Sequence, residues 1–253
     1  MALPFALFRR GCAALLLALL LGACSSADVS PRMTDSGRAG SMSRFAILGN
    51  MLYAVDNQNL RVFDLTPTAS TNGPQLINTT SLGVGIETIY PESGYLFIGT
   101  QAGMYIYDTA NPRAPRQLGY YQHAVSCDPV VVDGRYAYIT LRSGRPCGGG
   151  GNQLQVVDLQ DLSQPRLAQS YPLQQPYGLG VDSARLFVCD NGLKVFDKTQ
   201  TPQLTQRDYF QIEAYDVIPY QGSVFVIGSA GLYQYRYLNH TLSLLSVLPV
   251  TPR

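Results

Sequence analysis

Two histidines, His123 and His240, supply all the imidazole in this chain. Neither lies in a His-x-x-x-His spacing and no Cys-x-x-Cys occurs, so a transition-metal site lacks its usual ligand pattern. No Gly-x-Ser-x-Gly elbow presents a nucleophile. The glycine run Gly148–Gly151 is not followed by Lys-Ser or Lys-Thr. It reads as a hairpin loop, not a phosphate cradle. The remaining chemistry is a set of acids with aromatic and basic neighbours. Glu87, Asp128, Glu213 and Asp216 stand at the starts of apolar runs, with His123 and Tyr177 close by. Arg142, Arg145 and Asp190 follow the ends of other such runs. Gathered on one face, these groups suit a cation, a sugar or a peptide. The plainer alternative is a set of solvated loop residues tied into local ion pairs.

The sharpest single signal is near the N-terminus. Arg9 and Arg10 precede an apolar stretch from Gly11 to Leu21, which gives way to Leu21-Gly22-Ala23-Cys24. The stretch is short for a membrane-spanning helix, which needs ~20 apolar residues. A basic start, a brief apolar core and small residues before a cleavage point describe a secretory signal. The tetrad resembles the lipobox of bacterial lipoproteins. That resemblance implies removal of residues 1–23 and a diacylglycerol thioether on Cys24, with fatty acyl chains such as palmitate at the new N-terminus. Two or more chains anchor stably where one is marginal. Ser25 and Ser26 follow, with no aspartate directly after the cysteine. In such lipoproteins this implies the outer membrane, on its periplasmic or surface face. Residues 24–41 then read as a lipidated N-terminus and flexible tether.

Removal of residues 1–23 leaves 230, enough for one all-β domain. The formal charge of +1 falls by the two arginines to −1. A near-neutral chain without a basic run argues against nucleic acid as partner. The 17 tyrosines, 24 glycines and 16 prolines favour strands and turns over helices. Cys127, Cys147 and Cys189 remain beyond Cys24. An oxidising compartment allows a disulfide. Cys127 with Cys147, around one hairpin, is the preferred pair. Cys189, inside Leu186-Phe187-Val188-Cys189, reads as a buried thiol.

The mature chain repeats itself. An alternating strand ending in aspartate occurs as Leu60-Arg61-Val62-Phe63-Asp64 and Met104-Tyr105-Ile106-Tyr107-Asp108. It returns as Leu154-Gln155-Val156-Val157-Asp158 and Leu193-Lys194-Val195-Phe196-Asp197. A degenerate fifth copy, Leu232-Tyr233-Gln234-Tyr235-Arg236, puts arginine in the aspartate position. The spacings are 44, 50, 39 and 39 residues. A hairpin precedes each copy, most clearly at Asp133-Gly134. Each repeat therefore holds about four short strands in ~40 residues, the length of a propeller blade. The expected fold is all-β, a five-bladed β-propeller over 42–250. The repeats fall at about 42–85, 86–126, 127–176, 177–214 and 215–250. The motif resembles the LVIVD-repeat family of bacterial envelope proteins. That resemblance implies a β-propeller in the cell envelope and carries no catalytic motif and no cofactor.

Recurrence of an aspartate at the end of every third strand points to a turn-capping role for Asp64, Asp108, Asp158 and Asp197. The expected function is a membrane-anchored, non-catalytic binding or assembly module for an envelope protein or glycan, without metal or cofactor. The second reading is a glycan-acting hydrolase with two carboxylates across the channel mouth.

Overall fold

The computed structural model describes residues 40–68, 73–127, 129–144, 148–149 and 151–250. The signal segment, Cys24 and most of the tether lie outside them, as do Asp128, Arg145 and Cys147. Within these residues the chain forms twenty strands in five four-stranded sheets. The first sheet is β1 (Phe45–Leu48), β2 (Met51–Val55), β3 (Asn59–Asp64) and β4 (Gln75–Ser81). The second is β5 (Ile86–Glu92), β6 (Tyr95–Thr100), β7 (Gly103–Asp108) and β8 (Arg116–Gln122). The third is β9 (Val130–Asp133), β10 (Tyr136–Leu141), β11 (Gln153–Asp158) and β12 (Arg166–Pro172). The fourth is β13 (Pro176–Val181), β14 (Arg185–Asp190), β15 (Leu193–Gln200) and β16 (Gln203–Phe210). The fifth is β17 (Asp216–Tyr220), β18 (Ser223–Gly228), β19 (Gly231–Leu238) and β20 (Thr241–Pro249). Every neighbouring pair is antiparallel and sequential. This is the meander of propeller blades. Arg236 in place of aspartate does not prevent the fifth sheet from forming.

Local chemistry repeats from sheet to sheet. The pairing of third and fourth strands shifts register at the same point each time, at Val62/Phe63, Ile106/Tyr107, Val156/Val157, Val195/Phe196 and Gln234/Tyr235. Such bulges add right-handed twist, which blade packing needs. The four repeat aspartates each accept an amide N–H from two residues on: Thr66 to Asp64, Ala110 to Asp108, Gln160 to Asp158 and Thr199 to Asp197, at 2.8–2.9 Å. Their role is turn capping. Three also hold arginines: Asp64 with Arg113 of the second sheet, Asp158 with Arg135 and Asp197 with Arg207.

Packing between sheets follows one rule. In each of the first four sheets the third residue of the second strand is aromatic and fills the seam to the following sheet. Tyr53, Phe97, Tyr138 and Phe187 do this at 0–2 % exposure. The residue before it points the other way, to the preceding sheet: Leu96, Ala137, Leu186 and Val224 are buried there. Four apolar clusters therefore fill the four sequential seams. Cys189 is a free thiol buried in the last of them, as its apolar strand predicts. Gly180 lets β17 come close, since a Cβ there would lie 2.4 Å from the Val217 carbonyl oxygen.

The first strands meet around a centre occupied by the chain's own leading segment. Ser41 was counted with the tether by sequence, yet it is buried at 1 % exposure. Its Oγ donates to Asp216 Oδ1 at 2.9 Å and accepts from the Leu179 amide at 2.8 Å. The Ser43 carbonyl accepts from the Ile89 amide at 2.9 Å. Arg44 Nη2 donates to the Ile86 carbonyl at 2.7 Å. With Met42, whose amide donates to Asp216 Oδ2 at 3.4 Å, these four residues tie the fifth, fourth and second sheets together. Gly40 and Gly178 make room, because a Cβ on either would sit 2.1 Å from an Asp216 carboxylate oxygen.

Asp216 is 4 % exposed, and burial pushes its carboxyl from 3.8 up to about 6 against its hydrogen bonds from Ser41, Val217 and Met42. A pKa raised on folding stabilises fully below the unfolded value near 3.8, and that stability is lost as pH rises through about 6. The shift corresponds to about 3 kcal/mol. Asp216→Asn keeps an oxygen for Ser41 and Val217 but cannot titrate. The unfolding free energy of the variant relative to the parent should therefore rise by about 2 kcal/mol between pH 4 and pH 8 in chemical denaturation. A pH-independent difference would rule out a buried, titrating Asp216.

Candidate functional site

The mouth of the central channel holds a cavity of about 330 Å³. Its wall is built from the first strands and one loop. Glu87 and Thr88 come from β5, and Pro176 and Tyr177 from the start of β13. Cys127 and Pro129 lead into β9, and Arg142 directly follows β10. Met42 and Arg44 of the leading segment complete the wall.

Each of these side chains is fixed by its backbone. Cys127 and Arg142 exchange N–H···O bonds at 3.3 and 3.1 Å in an isolated bridge beyond the sheet. Cys127 is disulfide-bonded, which further pins this strand end. Its expected partner Cys147 lies outside the described residues. Thr140 Oγ1 donates to the Tyr177 carbonyl at 2.6 Å, joining third and fourth sheets beneath the cavity. The Arg142 guanidinium lies 4.3 Å from the Tyr177 ring centroid, a cation–π contact. Tyr177 in turn meets Tyr215 at 5.5 Å between ring centroids. The tyrosines form a tilted aromatic pair beside a held cation.

The acids divide into two groups. Glu87 lines the cavity and accepts from Gln101 Nε2 at 3.2 Å. Glu213 is exposed on the adjoining loop, where Ser229 and the Tyr215 hydroxyl donate to it and hold its carboxyl below the usual range. His123 is half-buried. Burial lowers its pKa, against the opposing effects of the Ala124 carbonyl and Glu87. Its Nδ1 lies 2.7 Å from that carbonyl oxygen, so Nδ1 carries the proton.

Asp190 and Asp216, expected on the ligand face, are not available there. Asp190 is fully buried and accepts from the Gln174 and Gln175 amides at 2.9 and 2.6 Å and from Lys194 Nζ at 2.6 Å. Asp216 holds Ser41. Both carboxylates face inward because the loops they anchor have backbone amides to satisfy. Asp128 and Arg145 lie outside the described residues. Among the described residues, Glu87 is the carboxylate that lines the cavity.

Sequence reasoning missed Met42, Arg44 and Tyr215. The first two follow a polar stretch that reads as tether, and nothing in their types marks a chain turning into a channel. Tyr215 was detectable only through its neighbours Glu213 and Asp216. Among the described residues, no group of three or more His, Cys, Asp or Glu side chains is placed to hold a metal ion. No helix there is long and apolar enough to cross a membrane.

A second cavity, of about 320 Å³, lies between the fourth and fifth sheets. Arg236 lines it, in the position where the other repeats carry aspartate. Arg185 stands opposite, paired with Asp182 and 5.0 Å from the Tyr237 ring centroid.

Solved structures of similar fold come from proteins of diverse kind. A candidate 6-phosphogluconolactonase from Bacteroides uniformis matches with a TM-score of 0.63 at 12 % identity, covering 81 % of this chain and 70 % of that one. A protein from Lactobacillus plantarum matches with a TM-score of 0.61 at 15 % identity, covering 80 % and 69 %. BamB from Moraxella catarrhalis matches with a TM-score of 0.51 at 12 % identity, covering 81 % and 62 %. At these identities the likeness concerns the fold. No curated protein matches the sequence. The LVIVD repeat model matches residues 126–172, a span that contains the whole third sheet. The chain is a β-propeller protein that carries the LVIVD repeat.

Proposed function

We propose that this protein is a lipid-anchored envelope module that binds a glycan or an envelope protein at its channel mouth, without catalysis. The observation that carries the reading is the Arg142–Tyr177 pair, 4.3 Å apart in the wall of an open cavity of about 330 Å³. An aromatic face with a cation beside it and a carboxylate across from it suits sugar rings or a mixed polar segment. Tyr215 extends the aromatic surface, and Glu87 supplies an acceptor. The anchor rests on Leu21-Gly22-Ala23-Cys24 and the basic, then apolar, segment before it. Ser25 and Ser26 after the cysteine favour the outer membrane. The LVIVD repeat, shared with envelope proteins, agrees with that compartment.

A glycan-acting hydrolase needs a second carboxylate across the cavity, one as acid and one as base or nucleophile. Asp128, outside the described residues, is the residue that sequence offers for it. The likeness to a candidate 6-phosphogluconolactonase keeps enzymatic turnover worth testing, although it extends to the fold alone.

Two measurements test the proposal. Titration of purified protein with cell-wall oligosaccharides and with solubilised envelope proteins should give saturable binding. Tyr177→Ala and Arg142→Ala should each weaken it about 10-fold or more, the effect of losing a stacked or charged contact of about 1.4 kcal/mol. Turnover of glycans, lactones or phosphoesters that Glu87→Gln abolishes would replace the binding reading with the hydrolase. Separately, Cys24→Ser should move the protein from the membrane fraction to the soluble periplasmic fraction. Persistent membrane association of that variant would remove the lipid anchor from the proposal.

A further inference from the structure

The cavity of about 320 Å³ between the fourth and fifth sheets lies at the strand ends opposite the channel mouth. The turn between β13 and β14 supplies Asp182, and Arg185 opens β14. The turn between β17 and β18 supplies Gln221, and the last residues of β19 supply Arg236 and Tyr237. Arg185 is held in place. Asp182 Oδ2 takes its Nε at 3.2 Å, while Oδ1 accepts the Ala184 and Arg185 amides at 3.0 and 2.8 Å. The Arg185 guanidinium lies 5.0 Å from the Tyr237 ring centroid. That ring is itself fixed, edge-on to Phe187 and Phe210 at 5.8 and 6.1 Å between centroids, with its hydroxyl donated to Asp208. Asp208 also meets His240 Nδ1 at 3.0 Å, so this acid too is engaged. Arg236 differs. In the first, third and fourth repeats the aspartate at its position meets an arginine. The fifth repeat puts a cation in the acid's place and supplies no acid for it, since the cross-strand neighbours of Arg236 are Ser223 and Ser243. Among the described residues, its exposed guanidinium makes no ion pair.

We infer that this cavity binds a phosphate group, with Arg236 and Arg185 as its guanidinium donors. Charge decides the sign of the ligand. The lining holds one acid, Asp182, and two arginines, so one positive charge is unbalanced. Two like charges that share a cavity repel, and an anion between them turns repulsion into attraction. Geometry decides among oxyanions. A guanidinium presents a planar fork of N–H donors that matches phosphate or carboxylate oxygens. A planar carboxylate fills one fork. A tetrahedral phosphate has oxygens for two forks that come from different strands, as these do. Arg185 gives only its Nε to Asp182, which leaves its Nη groups for the ligand. Ser223, directly across from Arg236, also lines the cavity. Its Oγ accepts from Gln234 Nε2 at 3.1 Å, so its own proton is left to donate. A soluble phosphate ester and a phosphodiester lipid headgroup share the chemistry recognised here. Glu87, Arg142 and Tyr177 stand at the opposite strand ends, so the inference is independent of what the mouth binds.

Isothermal titration calorimetry of the detergent-solubilised full chain at low ionic strength tests it, with inorganic phosphate, glycerol phosphate and dihexanoyl phosphatidylglycerol as probes. Inorganic phosphate should bind saturably at a single site. Arg236→Gln and Arg185→Gln should each weaken that binding about 10-fold or more. Arg236→Asp restores the residue of the other repeats and should abolish it. Arg116→Gln removes the same charge from an exposed position on the second sheet and should leave binding unchanged. Arg185 also supports a turn, so circular dichroism of its variant must match the parent for that comparison. Arg236 is exposed, and its two variants carry the test by themselves. Tighter binding of glycerol phosphate than of the phosphatidylglycerol assigns the site to a soluble ester, and the reverse order assigns it to a lipid headgroup. Absence of saturable phosphate binding, binding indifferent to Arg236→Gln, an equal loss in Arg116→Gln, or acetate bound as tightly as phosphate would each overturn the assignment.

Discussion

A four-stranded sheet with apolar side chains on both faces cannot bury either face alone, and most of this molecule follows from that constraint. Each sheet hides one face against its predecessor and the other against its successor. Tyr53, Phe97, Tyr138 and Phe187 each put a large buried aromatic into a seam, and a single aromatic side chain buries ~150–250 Å². Tyr53, Tyr138 and Tyr171 also spend their hydroxyls across seams, on Pro112, Thr201 and Pro202. Apolar area supplies the attraction and these polar contacts fix the angle between neighbours.

The same constraint explains where the site is. First strands that converge on an axis bring their leading ends together, so residues far apart in sequence share one mouth. Glu87, Arg142 and Tyr177 meet there because each stands at a strand end, and strand ends are where a side chain is released from packing. The isolated bridge between Cys127 and Arg142 extends this by one rung beyond the sheet. It holds a guanidinium over Tyr177 that a free loop would leave mobile.

Much of the fold was legible in the sequence. The aspartates at 64, 108 and 158 mark the ends of third strands, and Asp197 stands three residues before the end of β15; each is a short acceptor for the amide two residues on. The fifth repeat was harder to read, because Arg236 carries no such acceptor and its sheet is defined by strand alternation alone. The site was legible in part. Strand-end position identified Glu87, Arg142 and Tyr177, but it could not separate an acid that faces out from one that turns in. Asp190 and Asp216 look like Glu87 in the sequence. Their burial is set by unpaired amides at 174 and 175 and by the hydroxyl of Ser41, all of which depend on tertiary placement. Ser41 itself sits in a polar stretch whose composition matches a tether, so no periodic signal exists for it.

Asp216 shows how the scaffold and the mouth depend on each other. A buried carboxylate with no cation among its partners opposes folding at neutral pH, and a neutral or apolar group would fill the space at lower cost. What the carboxylate does is hold Ser41, whose hydroxyl also caps the Leu179 amide. With Ser41 fixed, the next residues have little freedom: Met42 donates to the same carboxylate at 3.4 Å, the Ser43 carbonyl takes the Ile89 amide, and Arg44 reaches the Ile86 carbonyl. Two of those four residues, Met42 and Arg44, form part of the cavity wall. Stability is given up at one buried acid so that a segment without secondary structure can be held against three sheets. The mouth therefore takes its shape from an interaction at the joint between the first and last repeats, where no apolar cluster of the described residues spans the two sheets.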